Sequence, residues 1–287
     1  MDERAVLELL SGALDHAGDD AAVVDDLAIT TDMLHETTDF PAGVTRYTAG
    51  WRAVGASLSD IAAMGGEATA AVAVYAAPEF DEREIREFIS GARDVCEFVG
   101  GSYVGGDLDT HEEFTVATTA IGSCTKPVYR SGATPEEVVC VTGTLGRSAS
   151  ALSLFEAGKS ERANDLFRFE PRIEAGRALA PYASAMMDSS DGLARSLHQL
   201  AEASRCGFSV ERGMLPIDES VYETAEDPVE AGVFFGEDFE LVITLPENAV
   251  SAVRKTSPTP ITVIGDVTET GVAIEDEPLP DRGFTHG

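Results

Sequence analysis

Five short segments set aspartate beside glycine or a hydroxyl side chain at the end of an apolar run. They are Gly18-Asp19-Asp20, Thr30-Thr31-Asp32, Ser59-Asp60, Gly105-Gly106-Asp107 and Asp188-Ser189-Ser190-Asp191-Gly192. Carboxylates and hydroxyls are hard oxygen ligands, suited to Mg2+ rather than to soft metals. Glycine lets a backbone approach a ligand closely, and element ends are where loops gather side chains from distant segments. Taken singly, each segment is more often a turn or a helix cap, and with 51 acidic residues in 287 any one of them arises by chance. Together they are distinctive because they use Asp almost exclusively, and at element edges; a merely solvated surface would use Glu equally and favour exposed helix faces. Carboxylates that converge in one cleft raise each other's pKa unless cations join them. Mg2+ supplies that charge and shares its ligands with phosphates. The residue chemistry therefore leads to a metal-bridged nucleotide site rather than to a two-carboxylate hydrolase.

Other motifs fall away. Gly158-Lys159-Ser160 resembles the end of a phosphate loop, but Ser153 stands where the earlier glycine belongs. His35-Glu36 and His111-Glu112 lack the second histidine of a zinc-protease helix. No Ser-His or Cys-His pair is evident for nucleophilic catalysis.

The elements that must position the aspartates follow from periodicity. Glu3 to Leu14 has the apolar spacing of a helix. Ala21 to Val24 and Leu27 to Thr31 are strand-like, with Asp25-Asp26 as the hairpin turn. Thr45 to Met64 reads as a long helix ended by Gly65-Gly66. A strand at Ala68–Ala77, a helix at Asp81–Val99 and strands at Ser102–Val104 and Phe114–Gly122 follow. Pro, Gly and Ser cluster over Thr125–Thr134, which places a domain boundary there: residues 1–125, then 126–287. The second half holds strands at Val138–Thr142, Ala185–Met187, Phe208–Glu211, Leu241–Leu245 and Thr262–Ile264. Its helices are expected at Arg147–Ala157, Ile173–Leu179 and Leu193–Ser204. Val141 to Gly146 leads through a glycine turn into a helix, either a phosphate-facing N-terminus or a plain turn. Strands and helices mix without strict alternation, so the class is α+β with mixed sheets.

Acidic residues outnumber basic ones by 51 to 20, a formal charge of −31. This excludes nucleic-acid binding through a broad basic surface. Only three lysines occur, Lys126, Lys159 and Lys255. The acids are spread along the chain, as in proteins of salt-accumulating halophiles, where high salt screens the self-repulsion. No apolar run is long enough to span a bilayer. Met1 to Leu10 has acids and no basic segment ahead of an apolar one, so no signal peptide is expected and a cytoplasmic location is the default. Cys96, Cys124, Cys140 and Cys206 form no CxxC pair and read as buried, reduced thiols.

Taken in order, the segments form a longer pattern. G-D-D-A-A-V-V (18–24), T-T-D-M-L (30–34), S-L-S-D-I-A-A-M-G-G (57–66) and V-G-G-D (104–107) come first. R-S-G-A (130–133), V-T-G-T-L-G (141–146), M-D-S-S-D-G-L (187–193), G-E-D-F-E-L (236–241) and I-G-D-V (264–267) follow. Over nearly its whole length the chain closely resembles the thiamine-monophosphate kinases, a family of the aminoimidazole-ribonucleotide-synthetase-like superfamily. The resemblance implies a homodimer in which each N-terminal domain, 1–125, adds its mixed sheet to a shared barrel-like core and binds ATP and metal. The C-terminal domain, 126–287, would be an α/β sandwich that completes the site. It implies transfer of the ATP γ-phosphoryl group to thiamine monophosphate, giving thiamine diphosphate and ADP, with several Mg2+ ions. By motif, Asp20, Thr31, Asp32, Asp60, Asp107 and Asp188 would be Mg2+ ligands, with Thr30 assisting and Asp191 holding a further metal. Gly106, Asp107, Arg130 and Ser190 would contact ATP. Asp39, Glu237 and Phe284 would face the thiamine part. Position 39 departs from the family, which has a His-Phe pair where this chain has Asp39-Phe40; an ionised Asp accepts hydrogen bonds but cannot donate them.

Sister activities fit less well. A selenophosphate-forming enzyme wants a reactive cysteine near the N-terminus, and the first here is Cys96. A carbamoyl-dehydrating maturation protein wants a C-terminal cysteine, and this chain ends Thr-His-Gly. An amidine-forming synthetase remains open. A non-catalytic nucleotide sensor would have lost its metal aspartates, which are present here.

Overall fold

The computed structural model describes residues 13, 14 and 16–283. The helix expected over Glu3–Leu14 lies almost wholly outside these residues, and Phe284 lies outside them.

Strands β1 (Ala22–Val24) and β2 (Leu27–His35) form a hairpin with Val24 opposite Leu27. Asp25 and Asp26 have φ of 49° and 66°, the pair of left-handed residues that a type I′ turn requires and Asp tolerates. With β3 (Glu67–Ala77), β4 (Ser102–Thr110) and β5 (Thr115–Ser123) they make a sheet in the order β1-β2-β5-β3-β4. The β3–β4 pair is parallel and the others antiparallel.

Helices α1 (Arg46–Ala63) and α2 (Glu82–Phe98) cover one face of this sheet. Thr45 caps α1 by accepting from the Thr48 amide, and Asp81 caps α2 by accepting from those of Arg83 and Glu84. The two helices touch backbone to backbone. A Cβ on Gly50 would lie 2.2 Å from the Phe88 carbonyl oxygen, and one on Gly91 only 1.9 Å from that of Tyr47. The opposite face of the sheet is apolar and bare: Leu27, Ile29, Met33, Val72, Val74 and Ile121 are all exposed.

The second sheet contains β6 (Val138–Thr142), β7 (Ala185–Asp188), β8 (Gly207–Val210) and β9 (Leu241–Leu245). It is completed by β10 (Ile261–Thr268), β11 (Val272–Ile274) and β12 (Glu277–Pro278). The order is β12-β11-β8-β10-β6-β9-β7, with only β11–β8 parallel. Around it lie α3 (Arg147–Glu156), α4 (Ser160–Phe167), α5 (Ile173–Leu179), α6 (Leu193–Ser204), α7 (Pro228–Phe234) and α8 (Val250–Thr256). The class is α+β with two mixed sheets, as the irregular succession of elements predicts.

One apolar core runs from the first sheet into the second, joining Leu58 and Ile61 of α1 to Ile173, Met186, Leu241 and Ile243. Helix α1 therefore has protein on nearly every side. A polar side chain on it, such as Asp60 or Arg52, is drawn into the junction between the two sheets and must find a partner there.

Candidate active site

Four distant segments bring carboxylates to that junction. Asp20 lies just ahead of β1, Asp32 on β2, Asp60 on α1 and Asp188 at the end of β7. Asp20, Asp60 and Asp188 each place a carboxylate oxygen so that all three lie within 4.8 Å of one another. Hydroxyls fix the orientation. Thr30 donates to Asp60 at 2.5 Å, Ser57 to Asp32 at 2.5 Å, Ser59 to Asp188 at 2.6 Å and Ser190 to Asp188 at 2.7 Å.

Electrostatically the group is short of positive charge. Burial, followed by Asp32, Asp188 and Asp20, pushes the Asp60 carboxyl well above the usual range, against the Thr30 bond. Burial and then Asp20 push Asp188 up to about 7, against its bonds from Ser59 and Ser190. Among the described residues, Arg130 brings a guanidinium to these acids, forking onto Asp20 at 3.2 and 3.1 Å. The Arg130 amide donates to Asp19 at 2.7 Å. Burial works against the Arg130 charge, yet Asp20, Asp188 and Asp60 outweigh it and hold the group above its ordinary pKa. An all-oxygen donor set with surplus negative charge fits a hard divalent cation.

Three expected ligands, Thr31, Asp107 and Asp191, do not join this group. Paired residues of a sheet share a face, and Thr31 is opposite Thr119, which pairs with Val72 on the bare face. Thr31 thus points away from Thr30 and Asp32, and its hydroxyl donates to the Thr118 carbonyl at 2.7 Å. Asp107 pairs with Val74, also on the bare face, and stands on the edge strand β4, three strands from β2. At about 4.8 Å per strand that is roughly 14 Å across the sheet. Gly106 shares this edge; a Cβ there would lie 1.7 Å from the Ala73 carbonyl oxygen, so only glycine fits. Strand alternation and strand order separate residues that sequence reading had grouped. Asp191, beyond Ser190, is outside the 4.8 Å group, and Gln199 donates to it at 3.5 Å.

A second set of acids sits one loop away. Gly236 and Glu237 press on the turn after β7: the Glu237 amide donates to the Ser190 carbonyl at 2.7 Å, and the Glu240 amide to Ser189 Oγ at 3.0 Å. Glu237 and Phe239 hold left-handed backbone, φ 61° and 54°. Each acid of the loop has its own partner. Glu237 meets Arg52 at 2.5 Å. Asp238 accepts from the Gly146 and Ser148 amides at 2.5 and 2.9 Å. Glu240 is forked by Arg172 at 2.8 and 2.5 Å and takes the Thr142 hydroxyl at 2.6 Å. The glycine turn at Val141–Gly146 does lead into a helix, but its amides already hold the Asp238 carboxylate. Burial pushes Asp238 up to about 7 despite those bonds.

Asp39 is buried, and its Oδ2 accepts from the His35 amide and the Thr38 hydroxyl, both at 2.7 Å. Sequence reading missed Arg52, Ser57, Asp238 and Arg172, and singled out Ser59 only as the neighbour of Asp60. Ser57 and Ser59 stood inside the S-L-S-D segment, and Arg52 lies one turn from Ala49 and Ala56 on an apolar helix face, a position where a lone arginine needs a buried partner. All four cysteines are buried and free, and burial pushes the Cys96 and Cys140 thiols up to about 12. No described helix is long and apolar enough to cross a membrane.

Comparison with known proteins matches this arrangement from end to end. Residues 18–124 match the AIR synthase related protein, N-terminal domain, and residues 134–276 match the corresponding C-terminal domain. The thiamine-monophosphate kinase of Halobacterium salinarum is 60% identical over 100% of both chains. The chain belongs to the thiamine-monophosphate kinase family. The member from Methanospirillum hungatei is 37% identical over 100% of this chain and 99% of its own. A solved structure, AaThiL complexed with AMPPCP and TMP, superposes with a TM-score of 0.90 at 27% identity, covering 100% of this chain and 97% of that one.

Proposed function

We propose that this member of the family transfers the γ-phosphoryl group of ATP directly to thiamine monophosphate. The observation that carries the reading is the meeting of Asp20, Asp60 and Asp188 within 4.8 Å, with Arg130 the one arginine bonded to them among the described residues. Family membership supports the substrates, as does the relative whose structure holds AMPPCP and TMP.

The acceptor is a phosphate oxygen, whose second ionisation near pH 6 leaves it a competent nucleophile without a general base. An in-line transfer forms a bond from that oxygen to the γ-phosphorus and breaks the bond to the β–γ bridging oxygen, releasing ADP. The obstacle is the approach of two anions. Asp20, Asp60 and Asp188, with Asp32 beside them, would hold several Mg2+ ions, which neutralise charge on the phosphates and orient them. Thr30, Ser57, Ser59 and Ser190 hold the carboxylates in place, and Arg130 fixes Asp20 within reach of ATP. Ser190 and Asp191 line the same turn. Glu237, Asp39 and Phe284 form the acceptor side, where carboxylates suit a cationic thiazolium.

A homodimer through the bare face of the first sheet belongs to the same reading. Its exposed aliphatic side chains form a patch that monomeric proteins seldom leave in water. Thr31, Gly106 and Asp107 lie on that face or at its edge, so they would enter a site only across the dimer. The division into an ATP-, Mg2+- and dimer-forming unit at 1–125 and a unit at 126–287 that completes the site follows the two sheets. The acidic composition supports work in concentrated salt, and a cytoplasmic setting fits the ATP requirement.

The test is turnover of thiamine monophosphate with ATP and MgCl2 in concentrated KCl, followed through thiamine diphosphate fluorescence after oxidation. Stoichiometric thiamine diphosphate and ADP are expected. ADP release without that product points to a sister activity and sinks the reading.

A further inference from the structure

The second acid set contains a cation that the chemistry of phosphoryl transfer does not call for. Arg52 is 1% exposed in the middle of α1. Its guanidinium lies 3.6 Å from the centroid of the Phe167 ring. Nη1 donates to the Phe167 carbonyl at 2.5 Å and to Ser148 Oγ at 3.4 Å. Nη2 donates to the Glu237 carboxylate at 2.5 Å and to the Glu237 carbonyl at 3.4 Å. Asp238 and Asp39 add to the negative field around it. A fully buried guanidinium needs a hydrogen-bonded anion, and Glu237 supplies it.

Seen from Glu237 the arrangement is a clamp. Its amide is held by Ser190 at 2.7 Å. Its carbonyl accepts from Ser148 Oγ at 2.6 Å. Its backbone sits in a left-handed conformation that a residue other than glycine adopts at a cost. The carboxylate direction is then set by Arg52, which comes from the other sheet's helix. Asp39 and Glu237, the two described residues assigned to the acceptor, are distant in the chain and both act on this one guanidinium.

We propose that Arg52, together with Ser148, is the positioning element for Glu237: it holds the carboxylate in its acceptor-binding direction before the acceptor arrives. This rests on the reading of Glu237 as an acceptor contact. Such preorganisation lowers the ordering cost of binding, so its loss falls on the acceptor and spares ATP. Arg and Lys differ here, because lysine cannot reproduce a planar fork that serves a carboxylate and a carbonyl at once.

The experiment measures kcat, the KM for thiamine monophosphate and the KM for ATP in the intact enzyme. The variants are Arg52→Lys, Arg52→Met, Ser148→Ala, Glu237→Gln and the double variant Arg52→Met/Glu237→Gln. Arg52→Met raises the acceptor KM about tenfold while the ATP KM stays within about twofold, and Arg52→Lys recovers part of the loss. Ser148→Ala gives a smaller rise of the same kind. The double variant is no worse than the poorer single one, since both changes remove one interaction. An unchanged acceptor KM in Glu237→Gln overturns the assignment of Glu237 itself. A raised KM in Glu237→Gln with unchanged values in the folded Arg52 variants overturns the positioning role alone. If neither Arg52 variant folds, Ser148→Ala decides: an unchanged acceptor KM, or equal rises in both KM values, removes the clamp from the mechanism.

Discussion

The two clusters of buried acid differ in one respect, the supply of positive charge. Around Asp20, Asp60 and Asp188 the bonded cation is Arg130, and it sits on Asp20. Around the loop after α7 every carboxylate has a dedicated partner: Arg52 for Glu237, two amides for Asp238, Arg172 for Glu240. Among the described residues the first cluster is short of bonded cations, whereas each acid of the second is already held by a bonded partner. Burial alone does not distinguish them, since Asp188 and Asp238 are both pushed up to about 7. What separates them is that like charges contribute to the rise at Asp60 and Asp188, whereas at Asp238 the hydrogen-bonding amides rank ahead of any neighbouring acid.

Changes at the two clusters should therefore do opposite things. The largest effect is expected for Asp60→Asn, which removes a metal ligand and one of several repelling charges. Turnover should fall about a thousandfold, as for loss of a central electrostatic group, while the metal-free melting temperature holds or rises. A folded variant with wild-type rate would break the comparison. Arg172→Met attacks the completed cluster and strands Glu240, which is 2% exposed. It should cost about 3–5 kcal/mol of stability, measured by denaturant unfolding; a loss below about 1 kcal/mol would mean that Glu240 simply takes up a proton.

A titration sharpens the contrast at lower amplitude. In metal-free protein Asp188 and Asp238 keep their protons to about pH 7, whereas in the unfolded chain an aspartate ionises near 3.9. Between those values the fold binds more protons than the unfolded state, so its stability falls as pH rises from about 4 to 7. Mg2+ should flatten the Asp188 share of that slope and leave the Asp238 share. Unfolding curves at several pH values, with MgCl2 and with chelator, check this; a slope that ignores Mg2+ would place no cation at Asp188. The smallest effect is expected for Asp238→Asn, which keeps one carbonyl oxygen for the α3 amides. It should remove the Mg2+-independent part of the slope and leave turnover within about twofold.

Much of the scaffold was legible because it repeats simple rules. Leu193–Ser204 carries helical spacing and Leu241–Leu245 a short continuous apolar run, and both sit where those patterns put them. Others hid behind polarity. Helix α4, S-E-R-A-N-D-L-F, buries little beyond Ala163, Asn164 and Phe167, so its apolar signal is thin. β4 extends to Thr110 through glycine and aspartate, residues that disfavour strands in isolation; pairing with β3 overrides them. The hairpin β11–β12 turns on Glu275-Asp276 with φ of 50° and 66°, the same device as Asp25-Asp26, yet its strands are only three and two residues long, V-A-I and E-P, too short for a clear alternation.

The sequence by itself determined which residue types were available: oxygen ligands at element ends, hydroxyls beside them and an acid-rich loop after a glycine. Those are local chemistry and survive in one dimension. Only the tertiary structure decided which acids share a cluster and which are neutralised. Strand alternation turned Thr31 from Asp32, strand order carried Asp107 to the far edge, and the burial of α1 gave Arg52 to Glu237. The reason is physical: charge pairing depends on distances of a few ångströms between segments far apart in the chain, and those distances exist only once the two sheets have closed on α1.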